Sequence, residues 1–137
     1  MSADLIRTVA AVIANDAGEV LLVRKRASDT FIQPGGKIEP GEAWLETLAR
    51  ELEEELGVRL DPATAVHLGE FEERAVHEPG RRVRAQAFHV SVVGTPSPQA
   101  EIEAMAWVDP QGPRDVRVAP LSAGHILPAF VAWRRTA

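Results

Sequence analysis

The chain contains no cysteine and no tyrosine, few aromatic residues of any kind, and no excess of positive charge. Each absence removes a class of function. Without cysteine there are no disulfide frameworks, no thiolate zinc sites and no cysteine nucleophiles, which suits a reducing cytoplasm. Long apolar runs are missing too. Near the start the longest is Val9 to Ala14, far below the roughly 18 residues that a membrane span needs. It lacks a basic leader and reads poorly as a signal peptide. The formal net charge of −5 argues against a groove for nucleic acid polymers, whose phosphates need a basic field. A small anionic ligand would need local basic residues or a bound cation. What is present is 137 residues with 45% hydrophobic and 26% charged content, ordinary for a globular chain. The expectation is one soluble, cytoplasmic domain over residues 1–137 with its own core.

Ile6 to Asn15 is rich in β-branched and small apolar residues and runs into the turn signal Asn15-Asp16-Ala17-Gly18, after which Glu19 to Arg26 follows. The pair reads as two strands joined by a tight connection. Ala27 to Gly41 reads as a long loop, punctuated by Pro34, Gly35, Gly36, Pro40 and Gly41. From Glu42 to Leu56 the spacing turns helical, with Leu45, Leu48, Ala49, Leu52 and Leu56 on one stripe, and Gly57 is a natural stop. Ala65 to Glu73, Val83 to Val93 and Met105 to Asp109 read as strands, His77 to Arg82 as a turn, and Gly124 to Arg135 as a short helix. No repeat or linker divides the chain. Strands around one strong central helix predict an α/β or α+β class with helices covering the sheet.

That helix concentrates four glutamates in "RELEEELGV", Arg50 to Val58. Glutamates one turn apart repel each other. At about 100° per residue, Glu51, Glu54 and Glu55 share one face, and that face borders the leucine stripe rather than opposing it. Glu46 and Glu53 point to the far side. Three carboxylates in a crevice are costly unless paired, protonated or bound to a cation. An all-oxygen set suits magnesium or manganese better than zinc, and magnesium favours sites completed by substrate phosphates. The competing reading is a solvated acidic face, with Arg50 pairing a neighbouring acid and Glu42 complementing the positive helix N-terminus.

Gly36 to Val58, "GKIEPGEAWLETLARELEEELGV", resembles the signature of the Nudix hydrolases. Gly36, Glu42, Arg50, Glu51, Leu52, Glu54, Glu55, Gly57 and Val58 fall at its nine specified places without insertion. The preceding "QPGG", the "RKR" strand end and the late "WVD" are similar to family members as well, so the resemblance covers most of the chain. It implies a Nudix-type α/β/α sandwich with a central mixed β-sheet, the signature forming a loop–helix–loop motif. It also implies hydrolysis of a nucleoside diphosphate linked to another group, with Mg²⁺, or Mn²⁺ in its place. On this resemblance Glu51, Glu54 and Glu55 are expected to hold metal and to supply catalysis, and the Gly36 carbonyl to complete the set. Arg50 is expected to orient the acids, and Glu101, with Glu103 as alternate, to add an acid from the loop before the late strand. Which acid is the general base stays open.

For the substrate, Arg26 and Lys37 are candidates to face the phosphates, against a reading as surface charge. Arg81, Arg82 and Arg84 form a basic hairpin that either reaches a phosphate tail or lies in solvent. Phe31, Trp44 and Phe88 would stack on a base or pack in the core. His67, His77, His89 and His125 show no metal spacing. The absent tyrosine, and the lack of a proline in Glu70 to Val76 with Pro79 too far on, turn the resemblance away from enzymes of dinucleoside polyphosphates and of ADP-ribose. The expected partner is a small nucleotide, most simply a normal or oxidised nucleoside triphosphate as in MutT-type enzymes. An ADP-ribose-type pyrophosphatase and a non-catalytic ligand-binding module of the same fold are the alternatives. A homodimer is conceivable, with Phe130 and Trp133 of the C-terminal helix contributing.

Overall fold

The computed structural model describes residues 4–137. Seven strands and two helices are arranged in chain order as β1 (Leu5–Val12), β2 (Val20–Lys25), β3 (Phe31–Ile32), β4 (Gly35–Lys37), α1 (Trp44–Leu56), β5 (Arg59–Arg74), β6 (Arg82–Val93), β7 (Ile102–Val108) and α2 (Leu127–Thr136). The larger sheet has the order β4-β1-β6-β5 and is mixed: β1 and β6 run parallel, while β1–β4 and β5–β6 are antiparallel. β3-β2-β7 form a second, antiparallel sheet. This is the expected α/β sandwich, a mixed sheet between helices.

Strand alternation decides what each face covers. Val9 and Ala11 of β1, and Ile13 just beyond it, join Leu48, Leu52 and Leu56 of α1, with Phe88 and Val90, in one core cluster. Ala10 and Val12 join Ala85, Ala87, Ile126, Leu127 and Phe130 in another, under α2. A third cluster, Leu22, Phe31 and Val108, fills the smaller sheet. The stripe read from the α1 leucines is therefore the buried one; Leu48, Leu52 and Leu56 are fully enclosed.

The connection after β1 is as tight as its turn signal predicts. Asn15 Oδ1 accepts the backbone N–H groups of Ala17 and Glu19 at 3.0 and 2.9 Å. Beyond the bridge between Ala14 and Val20 the two strands part into different sheets. The expected loop from Ala27 to Gly41 carries two strands instead, β3 and β4. They are two and three residues long, and their partners Val23 and Ala10 are distant in sequence, so no local period marks them. Gly35 makes the β4 pairing possible. Its φ is +148°, and a Cβ there would lie 2.1 Å from the Val9 carbonyl oxygen.

β5 is longer than expected, because register shifts between Asp61 and Val66 and between His67 and Gly69 break its alternation. β7 likewise starts earlier, at Ile102. The C-terminal helix is entered through a π-helical turn, Ser122–Ile126, in which Leu127 N–H reaches back to the Ser122 carbonyl. Pro128, just inside α2, has no N–H to donate, which fits this wider turn. Phe130 is 3% exposed and belongs to its own chain's core, and Trp133 packs on His89 with ring centroids 4.9 Å apart. Phe130 is therefore not a surface side chain available to a second copy. Among the described residues no helix is long and apolar enough to cross a membrane.

Leu52 is fully enclosed in the core cluster that α1 shares with residues of β1 and β6. Leu52→Ala is expected to lower unfolding free energy by about 3 kcal/mol, read from urea denaturation; a loss below a third of that would mean the α1 face is loosely packed.

Candidate active site

A cleft of about 470 Å³ opens at the edge of the larger sheet. Its walls come from β1, the β3–β4 segment, Glu51 of α1, the β5–β6 connection and residues Ala119 to Ser122. Gly35, Gly36 and Lys37 lie on its rim beside the acidic helix.

The acids are organised by one side chain. Arg50 donates from Nε and Nη2 to the two carboxylate oxygens of Glu42 at 2.8 and 2.9 Å, and from Nη1 to Glu51 Oε2 at 2.7 Å. Glu54 Oε1 lies 3.7 Å from the same Nη1, and the Lys37 carbonyl accepts from Nη2 at 3.4 Å. Glu42 also accepts from the Glu39 N–H and the Thr47 hydroxyl, at 3.0 and 2.8 Å. The Arg50 bonds, then Thr47, pull the Glu42 carboxyl down to about 2. In return Glu42 holds Arg50 firmly protonated.

Glu51 is set against the glycine pair. A Cβ on Gly36 would stand 2.4 Å from the Glu51 carboxyl carbon, so the bare backbone of Gly36 forms the cradle for that carboxylate. Glu55 is buried at 4% exposure and accepts the Gly35 N–H at 3.2 Å. Burial first, and the adjacent Glu51 charge with it, push its carboxyl up to about 8, against the lowering effect of Gly35. Glu54 turns outward and its side chain is 56% exposed. Two of the three acids are thus brought together at the cleft edge, and the third stands beside them at Arg50. Among the described residues no three acids or histidines close a cage unaided. The donor set still fits a hard divalent ion: two adjacent carboxylates and the bare backbone of Gly36, a cradle that no side chain fills. Magnesium takes few protein ligands and fills the rest with water and phosphate.

The remaining sequence candidates separate cleanly. Lys37 lines the cleft and pairs with Glu78 at 2.9 Å. Glu101 also lines it, 3.6 Å from Lys25, whereas Glu103 pairs with Arg24 at 2.8 Å elsewhere. Arg26 is exposed, lies outside the lining and reaches the Ala100 carbonyl at 3.3 Å. Lys25 holds the cleft position instead. Lys25 is the last residue of β2, whereas Arg26 lies just past the strand end in a turn. Arg82 and Arg84 pair with Glu72 across β5 and β6, and Arg81 with Glu78. None of Phe31, Trp44 and Phe88 lines the cleft. Phe31 and Phe88 are core residues, and Trp44 packs on His67 and Phe88 with centroids 5.4 and 6.1 Å apart. The sequence reading missed Gln33, His77 and Glu78, all in the lining. His77 bonds Ser28 Oγ at 2.9 Å, and burial depresses its basicity.

Comparison with known proteins identifies the family. The NUDIX domain family model matches residues 4–130. Over 134 residues the chain is 33% identical to the CTP pyrophosphohydrolase of Escherichia coli, covering 95% of this chain and 94% of that one. It is 37% identical over 62 residues to the 8-oxo-dGTP diphosphatase of Haemophilus influenzae, covering 42% of this chain and 46% of the relative. The solution structure of the E. coli ORF135 protein superposes with a TM-score of 0.78 at 32% identity, covering 97% and 93% of the two chains.

Two outcomes follow from the site. Gly36→Ala drives a methyl group into the Glu51 carboxylate and is expected to weaken Mn²⁺ binding by about tenfold or more while the protein stays folded; unchanged affinity in a Mn²⁺ titration would show that Glu51 needs no cradle. Arg50→Gln removes the partner that lowers Glu42. Because the folded value near 2 lies below the ordinary 4.5, this pair stabilises the fold above pH 4.5, and the contribution disappears as pH falls through about 2. The variant should therefore show a shallower loss of stability over that acid window in denaturation curves collected at stepped pH.

Proposed function

The chain belongs to the NUDIX domain family and is a MutT-like Nudix hydrolase, and from that premise we propose that it cleaves a phosphoanhydride bond of a nucleoside triphosphate with the help of Mg²⁺, or Mn²⁺ in its place. The observation that carries this reading is the Glu51–Glu55 pair, set against Gly35 and Gly36 at the edge of a cleft that also presents Lys25 and Lys37. The near full-length likeness to a relative named for CTP supports a triphosphate, and a cytidine nucleotide first among them.

In this reading Glu51, Glu54, Glu55 and the Gly36 carbonyl would hold the metal, and Glu101, which lines the same cleft, would add a further acid. The bound ion supplies neutralising charge on the phosphoryl oxygens and an acidified water. Arg50 acts as a positioning residue through the carboxylate of Glu51, 2.7 Å away. Lys25 and Lys37 bind the phosphate chain, each released from a carboxylate partner. Glu54, the most exposed of the three acids, takes the proton of the attacking water. Arg26, turned toward Ala100, is left outside the substrate contacts. The absence of cysteine and the nature of the substrate fit a cytoplasmic location.

The test is breakdown of a nucleotide panel by wild type and Glu54→Gln, with and without Mg²⁺ and with products resolved by mass. The panel holds normal and oxidised triphosphates, ADP-ribose and nucleotide sugars. Metal-dependent conversion of a triphosphate, slowed about 10²–10⁴-fold in the variant, is expected. Preferential turnover of ADP-ribose or a nucleotide sugar would move the substrate class, and a folded, metal-binding protein inert toward the whole panel would remove the hydrolase reading.

A further inference from the structure

Gln33 joins β3 to β4 and lines the cleft although it is only 6% exposed. Its amide is oriented by one bond: Nε2–H donates to the Ala11 carbonyl at 2.8 Å. That leaves Oε1 buried and without a hydrogen-bond partner. Among the described residues it is the only buried side-chain polar atom of the cleft lining so placed. A buried carbonyl oxygen without a donor is a standing cost to the fold, and a cleft is where a donor can arrive from outside.

The surroundings suit a base. Ala10, Ile32, Ala119 and Leu121 give the lining an apolar part with no aromatic ring. Along β1, Lys37 pairs opposite Thr8 while Gln33 bonds Ala11. Three strand steps separate them, about 10 Å. A nucleotide lying along β1 with its phosphates at Lys37 and Gly36 would bring its base to Gln33.

We infer that the amide oxygen of Gln33 accepts a hydrogen bond from the exocyclic amino group of the base, so that this residue sets a preference for cytosine over uracil. The inference rests on the nucleotide reading above and deepens it. Cytosine offers an N–H donor where uracil offers a carbonyl oxygen, which would face the Gln33 oxygen with no hydrogen between them. The bond from Nε2 to the Ala11 carbonyl keeps the amide from flipping, so that its oxygen and not its nitrogen is the group left for the base.

The experiment is calorimetric titration, with Mg²⁺ present, of the α,β-methylene analogues of CTP and UTP into wild type and Gln33→Met. Wild type is expected to bind the cytidine analogue about tenfold more tightly. In Gln33→Met the cytidine affinity falls by that factor and the uridine affinity stays, so the ratio approaches one. A ratio near one in wild type, a ratio preserved in the variant, or no binding of either analogue by wild type would overturn the inference. If Gln33→Met does not fold, the wild-type ratio decides alone. Mg²⁺-dependent turnover of CTP and UTP, measured separately, keeps the two readings distinct. Equal turnover with equal affinity sinks only the role of Gln33, and Gln33-dependent cytidine binding without turnover sinks only the hydrolase.

Discussion

The fork of Arg50 ties the loop that precedes α1 to the helix itself. One end of its guanidinium grips Glu42 and touches the Lys37 carbonyl, and the other holds Glu51 and approaches Glu54. Glu42 in turn collects the Glu39 N–H and the Thr47 hydroxyl. Loop, rim and acidic face are therefore tied together, although α1 alone would present several like charges with nothing to orient them. Lysine at this position would bring charge without the planar, multi-donor geometry. The same fork places a cation against Glu51 beside the buried Glu55, whose carboxyl is pushed up by burial first and by the Glu51 charge as well.

The parts of the fold that were legible in the sequence are those whose signal is local. The α1 stripe repeats every three or four residues, and its leucines are buried as that spacing requires. The acids could be placed from helical geometry alone, and the nine-position pattern attached a family to them. β3 and β4 were hidden because two or three residues paired to distant strands carry no period of their own. Arg26 and Lys25 were confused because the end of β2 was placed one residue too late. Gln33, His77 and Glu78 come to the cleft through long-range pairing of β4 and β6 with β1, which spacing cannot express. The aromatic residues were the least informative. Two of them serve the core, and Trp44 packs on His67 and Phe88, away from the cleft lining.

β1 is the member that lets one small chain maintain both a core and a site. Its residues alternate between the leucines of α1 and the cluster beneath α2, so helices on opposite sides are braced against the same strand. Small side chains at Ala10, Ala11, Ala85 and Ala87 keep this middle layer thin. Further along, Ile6, Thr8 and Ala10 also face the cleft, where Gly35 makes its close approach to Val9. Packing errors in this strand would therefore reach the site directly, without passing through any loop.

Lys25 and Lys37 each arrive at the cleft already matched with an acid, Glu101 and Glu78. On the proposed function, a polyphosphate entering there would exchange one ion pair for another instead of meeting naked positive charge. Long-range steering of anions toward such a mouth is weak, so encounter should depend only shallowly on ionic strength. On that same function, selection would wait until the phosphates and a cation are seated together.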